Sequence, residues 1–286
     1  MNSILFLLAL LAVVETAHAF FSGSASLLRA HVGSFLSMKH FDYLVIGAGS
    51  GGMASARRAA QYGAKVGVIE SKGIDGLGGT CVNVGCVPKK VMWNAAAVNE
   101  IIHEAHQFGF NVDTDNMSFD WGKMKTMRDA YITRLNGIYS RLLGNSDVEL
   151  ISGYGSFKSS NEVQVSGQSE TYTADNILIA VGGRPNMPNI PGIEHAIDSN
   201  GFFELTEQPK RVAVVGGGYI GVELAGVFQA LGSDATLFLR GEKPLRGFDD
   251  LIVDTLVKEM GKQGLSLQTR KSKCYSSLLL SYYDAL

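Results

Sequence analysis

Phe41-Asp-Tyr-Leu-Val-Ile-Gly47-Ala-Gly49-Ser50-Gly51-Gly52 is the stretch that decides how this 286-residue chain folds. The apolar run at 41–46 ends on spaced glycines and passes directly into the alanine-rich segment 53–60. Strand, tight turn and helix in that order open a doubly wound α/β unit of the Rossmann kind. Glycines at 47, 49, 51 and 52 allow the tight turn, a close approach of backbone to a pyrophosphate, and close packing of helix on strand. The helix then offers its positive end, with Ser50, to the phosphates. A second strand is expected at 65–70, with Glu70 at its end placed to accept hydrogen bonds from an adenosine ribose.

The same grammar recurs in Arg211-Val-Ala-Val-Val-Gly216-Gly217-Gly218-Tyr219-Ile220-Gly221, which runs into an apolar helix at 222–231. A second dinucleotide site is therefore expected, so the fold class is α/β with two Rossmann-like units in three layers. The strand expected at 235–240 ends on Arg240 where the first one ends on Glu70, and Arg246 follows six residues later. A guanidinium suits a 2′-phosphate dianion that a carboxylate would repel, so this site should prefer NADPH to NADH.

Between the two fingerprints lies Gly78-Gly-Thr80-Cys81-Val-Asn-Val-Gly-Cys86-Val-Pro-Lys89-Lys90, which holds two of the chain's three cysteines. A disulfide across so short a loop removes little unfolded-state entropy, so stability is a poor reason for the pair. The chain has no second cysteine pair, and no histidine stands at ligand spacing from the first, so no metal is expected. The remaining reading is a redox-active dithiol in an exposed, irregular turn entering a helix, where thiolates are favoured.

From residue 41 to about residue 268 these features resemble the pyridine nucleotide–disulfide oxidoreductases, most closely their branch that reduces glutathione disulfide. The resemblance implies FAD in the first site, NADPH in the second, and electrons passing through the flavin to the cysteine pair and on to a disulfide. Carried onto this chain, Cys86 is the charge-transfer thiol beside the flavin and Cys81 the interchange thiol. Lys89 lies near the flavin as a buried cation held by Glu223, and Tyr219 is a lid over the ring. Thr80 and Gly155 join Ser50, Gly51 and Glu70 at flavin-contacting positions, while Gly217, Ile220 and Glu223 match nucleotide-site positions. For glutathione disulfide, Ser50 and Arg57 match positions near its glycine carboxylates, and Tyr139 faces the peptide. Lys90 stands where lipoamide and mercuric enzymes of the family usually carry Ser, and reads otherwise as a solvated side chain. Reductases of thioredoxin and trypanothione share the plan and remain alternatives. Tyr131, Leu135, Ile138 and Leu142 have helical core spacing, so Tyr131 also reads as simply packed. Val181 departs from the threonine frequent in the family.

Residues 271–286 show no such resemblance, and the family's second FAD segment and its homodimer interface domain, which carries a His–Glu acid–base pair, have no counterpart in this sequence. The expectation is a C-terminally truncated chain, impaired in turnover or serving as a non-catalytic FAD- and NADPH-binding fragment. None of the six histidines lies in a matching motif, and Cys274 is expected to have no catalytic role. A formal net charge of −2 without a basic patch argues against nucleic acid. The domain reading is a leader at 1–37, an FAD-binding unit at 38–182 with the cysteine pair, an incomplete NADPH-binding unit at 183–270 and a divergent tail at 271–286. Residues 184–192 are a proline-rich linker. In the leader, the apolar run at 4–14 is too short for a span of roughly 20 residues and precedes Ala17-His-Ala19, a signal-cleavage pattern. Residues 20–40 lack acidic side chains and are serine-rich, which is transit-peptide composition. Signal plus transit peptide points to a plastid stroma with no membrane segment in the mature form. Secretion, or a cytosolic product starting at Met38, is the alternative.

Overall fold

The computed structural model describes residues 38–270; the expected leader and tail, with Cys274, lie outside the described residues. Strand β1 (Met38–Ile46) starts three residues before the apolar run. Helix α1 (Ser50–Gln61) is stopped where Gly63 takes a left-handed φ of 91°. Strand β2 (Val66–Glu70) is buried at every position, and each of its fully buried aliphatic side chains contributes about 1.5–3 kcal/mol. Two helices follow, α2 (Gly79–Val84) and α3 (Cys86–Glu104), then the long α4 (Trp121–Gly144), capped by Asp120 accepting from the Lys123 N–H at 2.8 Å. Strands β3 (Glu149–Ser152), β4 (Gly155–Ser159), β5 (Glu162–Val165) and β6 (Thr171–Ile179) complete a six-stranded sheet in the order β3-β2-β1-β6-β5-β4. Its first four strands are parallel, as β-α-β crossovers require, and β5 and β4 close it as an antiparallel meander.

After the coil at 180–192, helix α5 (Ser199–Glu204) leads into β7 (Arg211–Val215), α6 (Tyr219–Ala230), β8 (Asp234–Phe238), α7 (Asp250–Lys262) and β9 (Ser266–Gln268). These strands form a second, all-parallel sheet, β7-β8-β9. Two apolar clusters fill the first unit on the two faces of its sheet. A third, around Trp121, packs α3 and α4 against Phe202, Phe203, Leu224 and Phe228 of the following segment. Trp121 stacks on Phe228 with centroids 5.7 Å apart, so α3 and α4 share one core with the second sheet.

The buried stripe of α4 runs through Trp121, Arg128, Ile132, Asn136 and Leu143, which corrects the core expected from Tyr131, Leu135, Ile138 and Leu142. Tyr131 is 42% exposed, because two polar residues, Arg128 and Asn136, occupy the inward face and shift its phase. Arg128 is 2% exposed. Its guanidinium donates to Phe203 O at 2.6 Å and to Met92 Sδ at 3.3 Å, tying α4 to α5 and α3. The strand expected at 235–240 stops at Phe238. Gly216 N–H donates to Phe238 O as Gly47 N–H donates to Ile69 O, so the counterpart of Glu70 is the buried Leu239, and Arg240 follows one residue later, exposed.

Candidate redox site and nucleotide turns

The first turn is built as its glycines demand. Gly47 takes φ 102°, and a Cβ on it would lie 2.4 Å from Ala180 O at the end of β6. A Cβ on Gly52 would lie 1.9 Å from Gly47 O, so the helix sits on its own entry turn without room for a methyl group. Gly49 caps α1, no side chain caps that end, and no acidic residue stands in its first turn. Ser50 and Gly51 are exposed there, leaving open the amides that bind phosphate oxygens. Glu70 is 9% exposed and folds back on the turn, its Oε2 accepting from the Ala48 N–H at 2.8 Å. Gly153 N–H donates to Glu70 O, which brings the start of β4, with Gly155, to the same edge.

A second set of glycines joins this turn to the cysteines. Gly78 pairs with Gly49 in a parallel bridge and donates its N–H to Ala48 O at 2.9 Å. Gly79, with φ 61°, has no room for a Cβ, which would lie 2.7 Å from Gly49 Cα. Thr80 is exposed beside it. Cys81 lies within α2, not in an irregular turn, and Cys86 is the first residue of α3. Gly85 separates the two helices with φ −152° and ψ −118°, and a Cβ there would meet Thr80 O at 2.7 Å. That missing side chain lets α2 fold back so that the two cysteines meet.

Both thiols are free, Cys81 partly buried and Cys86 exposed. The Cys86 thiol hydrogen-bonds Cys81 and, with burial and charge repulsion adding to it, pushes the Cys81 thiol above its ordinary value, opposed in part by the Cys86 backbone N–H. Cys81 therefore keeps its proton to higher pH than an isolated thiol. Cys86→Ala removes the largest cause of that shift. Its alkylation profile at Cys81 is expected to move to lower pH, read by mass spectrometry of iodoacetamide adducts across a pH series. An unmoved profile would show that the contact does not govern this thiol.

Lys89, three residues beyond Cys86, bonds Glu223 Oε1 at 2.7 Å and so links α3 to α6. Its side chain is 22% exposed, so the cation is paired with Glu223 as expected but only partly buried. Tyr219, 62% exposed, and Ile220, 45% exposed, open α6 one turn before Glu223. Ile179, Val181 and Val215, at the ends of β6 and β7, are also exposed apolar side chains. Lys90 is no merely solvated cation: its Nζ lies 3.6 Å from the centroid of Trp93, three residues on along α3.

The second turn repeats the first. Gly216 has φ 129°, Gly218 caps α6, and a Cβ on Gly221 would lie 2.2 Å from Gly216 O. Leu245 N–H donates to Gly217 O at 2.7 Å, folding the 239–247 loop over the turn. Arg240 and Arg246 are exposed on that loop with no carboxylate partner among the described residues, whereas Lys243 pairs with Asp254 at 2.5 Å. Arg57 lies seven residues beyond Ser50, two turns along α1, and donates to Ser146 Oγ at 3.3 Å. Tyr139, on α4, packs partly buried against the cluster that also takes up α1.

Of the four described histidines, His40 meets Thr173 and Asp175, His103 and His106 meet backbone carbonyls, and His195 meets Glu194. Among the described residues no cluster of three or more His, Cys, Asp or Glu could hold a metal ion, and no helix is long and apolar enough to cross a membrane. Sequence reasoning missed Asn83 and Asn136, which hold the cysteine segment from behind. Asn83 was within the quoted motif, but an asparagine between cysteines carries no local signal.

Two glycine-built turns of the dinucleotide-binding kind, with a pair of free cysteines held against the first, define a protein of the doubly wound α/β class. The chain belongs to the pyridine nucleotide-disulphide oxidoreductase family, whose profile matches residues 41–274. It is 54% identical over 243 residues to the glutathione reductase of Yarrowia lipolytica, covering 81% of this chain and 51% of that protein. To the glutathione reductase of Schizosaccharomyces pombe it is 55% identical over 236 residues, covering 81% of this chain and 50% of that protein. The glutathione reductase of Debaryomyces hansenii is 49% identical over 243 residues, 77% of this chain and 49% of that protein. The chain thus spans about half the length of the curated relatives it matches.

Proposed function

We propose that the protein acts in the FAD- and NADPH-dependent reduction of glutathione disulfide, keeping the glutathione pool reduced. The observation that carries this reading is the contact of Gly79 on Gly49, which seats the cysteine segment directly against the first nucleotide turn. The residues around that turn fit FAD: open amides at the start of α1, Glu70 turned toward it for ribose hydroxyls, and the exposed apolar side chains of Ile179 and Val181 at the end of β6, against which Gly47 packs. Bound there, FAD supplies the relay that turns a two-electron hydride from NADPH into dithiol chemistry.

The chain's own residues do the rest. Cys81 as thiolate attacks one sulfur of glutathione disulfide, the S–S bond breaks, and the first glutathione leaves and takes up a proton. Cys86 then attacks Cys81 sulfur, releasing the second glutathione and leaving a Cys81–Cys86 disulfide. Lys89, three residues beyond Cys86 and fixed by Glu223, would bring its positive charge near the flavin. Ser50 and Arg57 would hold the glycine carboxylates of glutathione disulfide, Tyr139 would face the peptide, and Tyr219 would serve as a lid over the flavin. We place the protein in a plastid stroma, delivered by residues 1–37; fusing that segment to a fluorescent protein tests the compartment.

The direct test loads the chain with FAD and adds NADPH anaerobically to the Cys81–Cys86 disulfide form. Two new thiols per chain are expected, returned to disulfide by glutathione disulfide faster than by lipoamide, thioredoxin or trypanothione disulfides. No FAD-dependent thiols, or a preference for another disulfide, overturns the assignment. Replacing Arg240 and Arg246 with Ala is expected to weaken NADPH binding roughly 10–100-fold, with NADH affinity little changed, by isothermal titration; at exposed positions the two charge-assisted contacts together contribute about 1.5–3 kcal/mol. Equal losses for both nucleotides would remove these arginines from 2′-phosphate recognition.

A further inference from the structure

Asn136 is an unusual residue for the middle of a core-facing helix stripe. It is 5% exposed, and burying an amide costs about 1–3 kcal/mol unless its hydrogen bonds are made. Both of its bonds go to one place. Its Nδ2 donates to Leu77 O at 2.9 Å and to Asn83 Oδ1 at 3.1 Å. Asn83 in turn donates to Gly79 O at 2.9 Å and Leu77 O at 3.2 Å. Asn83 lies between Cys81 and Cys86 on α2, which has only six residues and no side-chain cap. Helices that short are marginal alone, so α2 depends on outside contacts for its pitch. Leu77 O, two residues ahead of its N-terminus, and Asn83 are held from α4, and its C-terminal end is set by the Gly85 break.

We infer that Asn136 is a positioning residue for the cysteine pair: acting through Asn83, it fixes α2 so that Cys81 stands within bonding reach of Cys86, and thereby sets the redox poise of the dithiol. This rests on the reading of Cys81 and Cys86 as a redox pair. Two thiols held in place have a high effective concentration toward each other, and small misplacements cost large factors. Loosening α2 lowers that concentration and makes the intramolecular disulfide less favourable relative to glutathione disulfide.

The test equilibrates the full chain in glutathione buffers, where Cys81 and Cys86 lose two electrons and two protons to glutathione disulfide, giving their own disulfide and two glutathione molecules. Asn136→Leu keeps side-chain size and removes both donors. Its equilibrium constant for disulfide formation is expected to fall roughly tenfold, equivalent to about 30 mV. Asn83→Ala is expected to give a similar fall, and the double variant no more than the larger single one, since the two act through one link. Ile132→Ala, one turn away on the same buried face and lining the same cavity as Asn83, lowers stability without removing a side-chain hydrogen bond of Asn83 or Asn136, and is expected to leave the constant within twofold of wild type. A constant within twofold of wild type in Asn136→Leu, or an equal shift in Ile132→Ala, overturns the inference. Should Asn136→Leu not fold, Asn83→Ala against Ile132→Ala decides it by the same criterion. A wild-type chain that forms no Cys81–Cys86 disulfide at any glutathione ratio sinks the redox reading itself, whereas a normal wild-type constant with unmoved variants sinks only the role of Asn136.

Discussion

Cys86→Ser is expected to stop the dithiol reaction halfway. The substitution changes one atom at an exposed first residue of α3, and serine is well tolerated at helix starts, so the fold should be kept. Cys81 can still attack glutathione disulfide and release one glutathione. No second thiol then stands beside it to attack the mixed disulfide, so the other glutathione remains bound to Cys81. In a single turnover the wild-type dithiol should release two glutathione molecules per disulfide and the variant one. Release of the second should slow by on the order of 10³-fold or more, the scale seen when a catalytic nucleophile is removed. Mass spectrometry should find one glutathione on Cys81, removed by dithiothreitol. Cys81→Ser should instead show no reaction under the same conditions if Cys81 alone is the interchange thiol. Release of both glutathiones at an undiminished rate from Cys86→Ser would mean that the resolving thiol lies elsewhere. Because the hydrogen bond with Cys86, with burial, raises the Cys81 thiol above its ordinary value, the attack step in the wild type should accelerate as pH rises through that raised value.

What the sequence disclosed and what it withheld follow from the range of the interactions involved. Gly47 to Gly52 with Glu70, and Gly216 to Gly221, were legible because strand, turn and helix are adjacent in the chain and their glycines are forced by contacts within a few residues. The order of Arg240 and Leu239 was misread by one position, since a strand end is set by the neighbouring strand: Gly216 bonds Phe238 and fixes the register. Lys89 and Glu223 are 134 residues apart, so only family resemblance could pair them in advance. Asn136 and Arg128 were invisible for a different reason. Periodicity assigns polar residues to the solvent face, and here both point inward because backbone carbonyls and a carboxylate wait for them. The wrong phase for α4 and the overlooked hold on Asn83 are thus one error. The glycines at 78, 79 and 85 were quoted as part of a turn. That they hold the cysteines to the nucleotide turn needs the three-dimensional contacts of Gly49 and Thr80.

The two fingerprints offer a matched pair of substitutions. A Cβ at Gly52 would lie 1.9 Å from Gly47 O, and one at Gly221 would lie 2.2 Å from Gly216 O. Both clashes are with backbone atoms of the turn proposed to hold phosphate, so neither can be relieved by a side-chain rotation. In each case the helix must move off its strand, at a cost of several kcal/mol, on the order of the large single-site losses. The two effects should be separable. The clusters that fill the first sheet contain no residue beyond Ala180, and the cluster around Trp121 contains none of α1. Gly52→Ala is therefore expected to lose FAD affinity by at least about 100-fold while keeping NADPH binding, and Gly221→Ala to do the reverse, each measured by isothermal titration. Loss of both ligands in either variant would show that the shared core around Trp121 transmits the strain, making the two turns one cooperative unit. Loss of neither would mean that the helix N-termini are not where the dinucleotides bind. The reciprocal pattern alone fits two independent nucleotide turns serving one dithiol, since only then can each cofactor be removed without disturbing the site that holds the other.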